Sequence, residues 1–251
     1  MRLKTFSTIS ARLQNMRHSV RVAFAVLAFL SATQIRAAAI PQGEWVLLVG
    51  GVSMRQWEQY KGDAAHDHWW ANFVHAARLR TQQLRDQYGP DLPITWLVYK
   101  PAYLERSKQD GRDLIALINS VRDTYGLRLI YFNKGDDVID YLNRGQNRDQ
   151  LKVAGFEYFG HSNKACFMFD YSNVIDSSAK AWLHQNDFAK LDRRVFARNA
   201  YVKSWGCHTG EMMSSYWHKA TGTRMWGAVG KTQYMSEELP VLVSPSDKWV
   251  N

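Results

Sequence analysis

Only two cysteines, Cys166 and Cys207, occur in the 251 residues. That scarcity excludes a disulfide-framed scaffold and an all-cysteine zinc module, which need several thiols each. Long hydrophobic runs are also missing. The longest, Val22 to Leu30 (VAFAVLAFL), is less than half of the ~20 apolar residues that a membrane-spanning helix requires. Proline is sparse, with six residues, and no repeat, low-complexity tract or convincing linker divides the chain. Acidic residues are absent from residues 1–39, which carry Arg2, Lys4, Arg12, Arg17, Arg21 and Arg36. Setting those six cations aside lowers the formal charge from +9 to +3, so the basic surplus belongs mostly to the N-terminal segment. The remaining cations are scattered among Asp and Glu, which gives no basic face for nucleic acid.

What is present begins with that segment. Arg17 and Arg21 precede the short apolar core, and Ala37, Ala38 and Ala39 follow it, the order of a secretory signal with a small-residue cleavage site. The expectation is a signal over residues 1–39, no stable membrane span after its removal, and an exported protein, periplasmic or extracellular. An uncleaved anchor is the other reading. Residues 40–251 are long enough to bury one substantial core and read as a single domain.

Within that domain, apolar runs and helical patterns alternate. Glu44 to Gly51 (EWVLLVGG) is a continuous apolar run closed by two glycines, as in a strand buried on both faces. Trp70, Phe73, Val74, Ala77, Thr81, Leu84 and Tyr88 mark one face of a helix stopped by Gly89 and Pro90. Strands are predicted at Pro93 to Tyr99 and Leu127 to Phe132, with a helix at Asp110 to Gly126 between them and a short Asp-capped helix from Asp136 to Leu142 after them. Val153 to Asn163 (VAGFEYFGHSN) is a fourth strand that ends in Gly160, His161 and Ser162. Beyond it the pattern predicts a hairpin arm at Ala165 to Tyr171, a helix at Asn186 to Phe196, a strand leading to Trp205, a helix through Met213 and Trp217, a strand at Arg224 to Val229 and a surface tail from Glu237 to Asn251. This alternation predicts an α/β domain, a mostly parallel sheet with helices on both faces.

Two strand ends carry chemistry. In AYVKSWGCHTGE, Ala200 to Glu211, a β-prone run breaks at Gly206 and leaves Cys207 at the break, ahead of a predicted helix whose N-terminal N–H groups would favour a thiolate. His161 ends the preceding major strand. Two such strands ending at one edge of a parallel sheet bring a base and a nucleophile together from 46 residues apart. His208, next to the thiol, is the alternative base. Glu157 and Asp170 read as acids able to receive a basic substrate group or, equally, as solvated surface residues. His66, Asp67, His68 and His75 form no complete metal-ligand set, so no metal and no cofactor are expected. A structural Cys166 to Cys207 disulfide and an inert buried thiol are the non-catalytic alternatives.

The order of Gly160-His161-Ser162 after one strand and Ser204 to Gly210 (SWGCHTG) after the next resembles the caspase-like cysteine peptidases, in particular their caspase-related bacterial branch, over most of Glu44 to Val229. The resemblance implies a three-layer sandwich and a Cys/His dyad, with Cys207 as nucleophile and His161 as base. It further implies an oxyanion hole from the N–H groups of Ser162 and Cys207, and a peptide or protein substrate. Family members usually carry glycine directly after the histidine, where this chain has Ser162. A catalytically silent binding or scaffold module of the same fold, and a Cys/His transferase or deamidase, are the other functions that fit these residues.

Overall fold

The computed structural model describes residues 43–53, 55, 69–170 and 181–251. The described residues all belong to one compact unit, Ala39–Asn251. The signal-like segment 1–39 and His66, Asp67 and His68 lie outside them.

The first strand among the described residues is β1 (Glu44–Val49), every residue of which is buried. Helix α1 (Asn72–Tyr88) follows and ends at Gly89, whose φ of 88° suits a residue without a Cβ. Strand β2 (Ile94–Tyr99), also fully buried, runs directly into α2 (Lys100–Asp110), which has a proline in its first turn. Helix α3 (Leu114–Tyr125) starts where the Asp113 carboxylate accepts the Ala116 N–H at 2.9 Å and stops at Gly126 in the left-handed region. Strand β3 (Arg128–Phe132) and α4 (Gly135–Arg144) come next, with Asp137 accepting from the N–H groups of Asn133 and Lys134 at the head of α4. Strand β4 (Val153–Phe159) then leads into an antiparallel arm of β5 (His161–Ser162), β6 (Cys166–Asp170) and β7 (Ala181–His184). Two 3₁₀ turns connect to β8 (Phe196–Ser204), followed by α5 (Met213–Thr221), β9 (Met225–Val229), the small pair β10 (Thr232–Gln233) and β11 (Val241–Leu242), and β12 (Lys248–Val250).

The main sheet has seven strands in the order β12-β9-β8-β4-β1-β2-β3. All neighbours are parallel except β12, which runs antiparallel to β9. The order builds outward from β1 to β3 on one side and from β4 to β12 on the other, so the direction reverses between β1 and β4. Side chains alternate across the sheet. Val46, Leu48, Phe156, Tyr158 and Val202 pack with α4 and α5, whereas Trp45, Leu47, Val49, Phe159 and Trp205 pack with α1, α2 and α3. No helix among the described residues is long and apolar enough to cross a membrane.

Three segments differ from the sequence expectation. Asp110 to Gly126 is not one helix: α2 ends at Gly111 and a new helix is capped by Asp113, while α2 itself escapes pattern reading because only Ala102, Tyr103 and Arg106 of its eleven residues are buried. Asn186 to Phe196 forms two 3₁₀ turns, because the Asp192 side chain accepts the Arg194 N–H and restarts the chain there, and Phe196 already pairs with Val153. Glu237 to Asn251 is not a surface tail. Its last strand completes the sheet, with Trp249 against Trp205 at 5.5 Å.

Two carboxylates are fully buried on β1 and β4. Glu44 accepts from Thr95 and Tyr141, both at 2.5 Å, and from Arg148 at 2.7 Å. Glu157 accepts the indole N–H of Trp45 at 2.8 Å and of Trp205 at 2.7 Å, and pairs with the Arg80 guanidinium at 2.6 Å. Arg80 in turn lies over the rings of Trp45 and Tyr201, 5.4 and 5.6 Å from their centroids. Removing Glu157 leaves a shielded cation and two indole donors unpaired. Glu157→Ala should therefore lower the unfolding free energy by about 3–5 kcal/mol, and Glu157→Gln, which keeps an acceptor, by less. Urea unfolding measures both; a loss below about 1 kcal/mol for the alanine variant would show that the network does not hold the core.

Candidate functional site

The last register pair between β4 and β8 is Tyr158 with Ser204, and the Trp205 N–H extends the ladder to the Tyr158 carbonyl at 2.9 Å. His161 and Cys207 each lie three residues beyond that pair, at the carboxyl edge of two adjacent parallel strands. Ser53 lies beyond the neighbouring end of β1, and β1 and β4 flank the point where the strand order reverses, the usual ligand crevice of an open α/β sheet.

His161 is half-buried. Its Nε2 is 3.0 Å from the Ser53 hydroxyl, and its ring meets Phe73 edge-on at 5.0 Å. Phe73 packs in the same manner on Tyr234, whose hydroxyl accepts the Gly160 N–H at 2.8 Å and pins the bend before the histidine.

Cys207 is a free, half-buried thiol. The Thr232 N–H donates to its sulfur at 3.3 Å, and the Thr232 hydroxyl and carbonyl lie 3.6 and 3.7 Å from that sulfur. The same hydroxyl donates to the Trp205 carbonyl at 2.8 Å, so Thr232 of β10 holds the cysteine turn at both Trp205 and Cys207. The helix dipole does not reach this sulfur as the sequence predicts. Helix α5 begins at Met213, six residues past Cys207, with turns between, and the helix dipole acts only within about one turn of its end.

The two loops touch. Ser162 Oγ donates to the Cys207 carbonyl at 2.7 Å, a bond that a glycine at this position lacks. A Cβ on Gly206 would overlap Ser162 Oγ and lie 2.9 Å from Ser162 Cβ and 3.0 Å from the Gly160 carbonyl. Asn163 N–H donates to Cys166 C=O at 3.1 Å, so by antiparallel alternation the Ser162 and Phe167 pair is not hydrogen-bonded and the Ser162 N–H faces away from β6. The Cys207 N–H has no hydrogen-bond partner among the described residues.

His208 is committed elsewhere. It adopts φ of 61°, its N–H donates to Gly230 C=O at 2.8 Å, and its Nδ1 pairs with Glu211 at 2.5 Å, which holds the Glu211 carboxyl below its ordinary range. Cys166 is also free; it sits on β6 opposite His184, and burial, with Asp187 adding to it, pushes its thiol up. Glu157 is neither a solvated acid nor open to a ligand, since its oxygens hold Trp45, Trp205 and Arg80. Asp170 is buried as well and accepts the Tyr99 hydroxyl at 3.1 Å. His75 is bonded to the Ser236 carbonyl at 2.7 Å and packs on Trp69; among the described residues, no three His, Cys, Asp or Glu side chains cluster so as to hold a metal ion.

Ser53, Thr232 and Tyr234 are the site neighbours that sequence reasoning missed. Ser53 had a signal, since it directly follows the double glycine and valine that close a buried strand. Thr232 acts on sulfur through its backbone, which no residue pattern records. No protein-family model, curated protein or solved structure matches the chain.

The contact between Gly206 and Ser162 makes a coupled prediction. Ser162→Gly alone should cost about 1 kcal/mol through the lost hydrogen bond and a freer backbone, and Gly206→Ala alone more. In the double variant, part of the alanine's cost should vanish, a coupling of about 0.5–3 kcal/mol in urea unfolding. Strict additivity would mean that the two loops do not press on one another.

Proposed function

We propose that this chain is an exported caspase-like cysteine hydrolase, a peptidase acting on a peptide or protein substrate, with the sheet and its two helical faces forming a caspase-like three-layer sandwich. The observation that carries the reading is the meeting of the histidine and cysteine loops at one sheet edge, tethered by the Ser162 hydroxyl on the Cys207 carbonyl. The motifs at Gly160 to Ser162 and Ser204 to Gly210 support the family, and the signal-like start supports export.

In this mechanism the Cys207 sulfur, its proton taken up by His161, attacks the acyl carbon. The carbonyl oxygen gains negative charge and is received by the Ser162 and Cys207 N–H groups, the first facing away from its own hairpin and the second unpartnered among the described residues. Collapse of the tetrahedral adduct breaks the bond to nitrogen, and His161 returns the proton to the leaving amine. Water, deprotonated by His161, then cleaves the thioester and regenerates the thiol. A transferase or deamidase forms the same thioester and differs in acceptor or leaving group, so product analysis separates it.

Turnover of a fluorogenic peptide panel by the purified protein tests the proposal. Cys207→Ala and His161→Ala should each reduce thiol-dependent turnover by about 100-fold or more with circular dichroism unchanged, while His208→Ala retains most of it. Unchanged turnover in His161→Ala would contradict the dyad, and a wild type without turnover on any peptide would favour the silent binding module.

A further inference from the structure

We infer that Ser53 is a positioning residue of the histidine, an inference that rests on the proposed Cys/His chemistry: its hydroxyl accepts the Nε2–H of His161, which puts the lone pair of the neutral ring on Nδ1, the nitrogen that exchanges a proton with Cys207. The contact is 3.0 Å between Ser53 Oγ and His161 Nε2, across 108 residues of sequence.

The direction of this bond decides whether the ring can work. If the hydroxyl donated to Nε2, the neutral imidazole would carry its proton on Nδ1 and could not take one from the thiol there. If the hydroxyl accepts from Nε2–H, Nδ1 is a lone pair in the neutral ring and an N–H in the charged one. The Ser53 bond then persists through both states, and the ring need not turn between proton uptake and delivery. The edge-on contact with Phe73 holds the same ring plane from the side.

Ser53 is itself built to stay in place. It is 2% exposed, and its carbonyl accepts from Arg106 Nη1 at 3.0 Å. Arg106 is 4% exposed, and its Nε meets both Asp110 oxygens at 2.9 and 3.0 Å. Arg55, two residues past Ser53, returns to α2 through its side chain to Asp110 at 2.6 Å and through its N–H to Gln109 at 3.0 Å. The chain after β1 is thus held to α2 at Ser53 itself and two residues beyond it, which orients the hydroxyl.

The test reads the ring directly. Nitrogen-15 spectra of the histidine side chains, with the His161 signals assigned by their loss in His161→Gln, should show the Nε2–H tautomer in the wild type, a mixture of tautomers in Ser53→Ala, and the wild-type form restored in Ser53→Thr. In parallel, Ser53→Ala should lower kcat at least about tenfold with KM within twofold, and Ser53→Thr should recover most of it. A Ser53→Ala protein with the wild-type tautomer, or with kcat within twofold of wild type, overturns the inference. A wild type with no thiol-dependent turnover would instead remove the proposed function, and the tautomer would still decide the role of Ser53.

Discussion

A carboxylate buried in a protein core must be paired, and the pairing of Glu157 organises this molecule. One side chain on β4 binds an indole from β1, an indole at the end of β8 and a guanidinium from α1. Strand order, the packing of α1 on the sheet and the position of the chain just before the cysteine are therefore fixed by one set of charge-assisted hydrogen bonds. The consequence runs outward. Trp205 stacks on Phe159 at 6.0 Å and meets Trp249 of β12, and the Lys203 ammonium lies 3.5 and 3.9 Å from the Trp205 and Trp249 ring centroids. Burial lowers that lysine to about 8, while the ring faces favour its charged form.

The candidate site inherits its rigidity from this arrangement. Trp205 is two residues before Cys207, with its indole on Glu157, its N–H on Tyr158 and its carbonyl on Thr232. The cysteine turn thus leaves a fixed point, and the remaining contacts, Thr232 N–H to sulfur and Ser162 Oγ to the Cys207 carbonyl, act over short distances. Packing against Ser162 also explains why residue 206 is glycine. The serine after the histidine, a departure from the glycine of the resembled family, is used here as a tether between the two loops.

Much of the sheet was legible because parallel strands buried on both faces are written as unbroken apolar runs closed by glycine: Glu44 to Gly51 and Val153 to Gly160 show this directly. The placement of His161 and Cys207 at one edge followed from the same signal. Elements of other kinds were not legible. Helix α2 turns only three buried residues inward, and β10, β11 and β12 are two or three residues long, too short to show a period. Asn186 to Phe196 has helically spaced apolar residues, yet Asp192 caps a new turn in its midst. The chemistry contributed by Ser53 and Thr232 depends on contacts spanning 108 and 25 residues, and the Thr232 contribution is a backbone N–H.

The proposed chemistry requires one of the two thiols to be the reactive one. Reaction of the purified protein, without reductant, with an acyl-directed electrophile such as a peptidyl acyloxymethyl ketone, followed by peptide mapping, tests it most directly. The account predicts modification at Cys207, whose sulfur receives the Thr232 N–H, with Cys166, whose thiol burial holds in its protonated form, left intact. Labelling at Cys166 in preference to Cys207, or at neither, would contradict it.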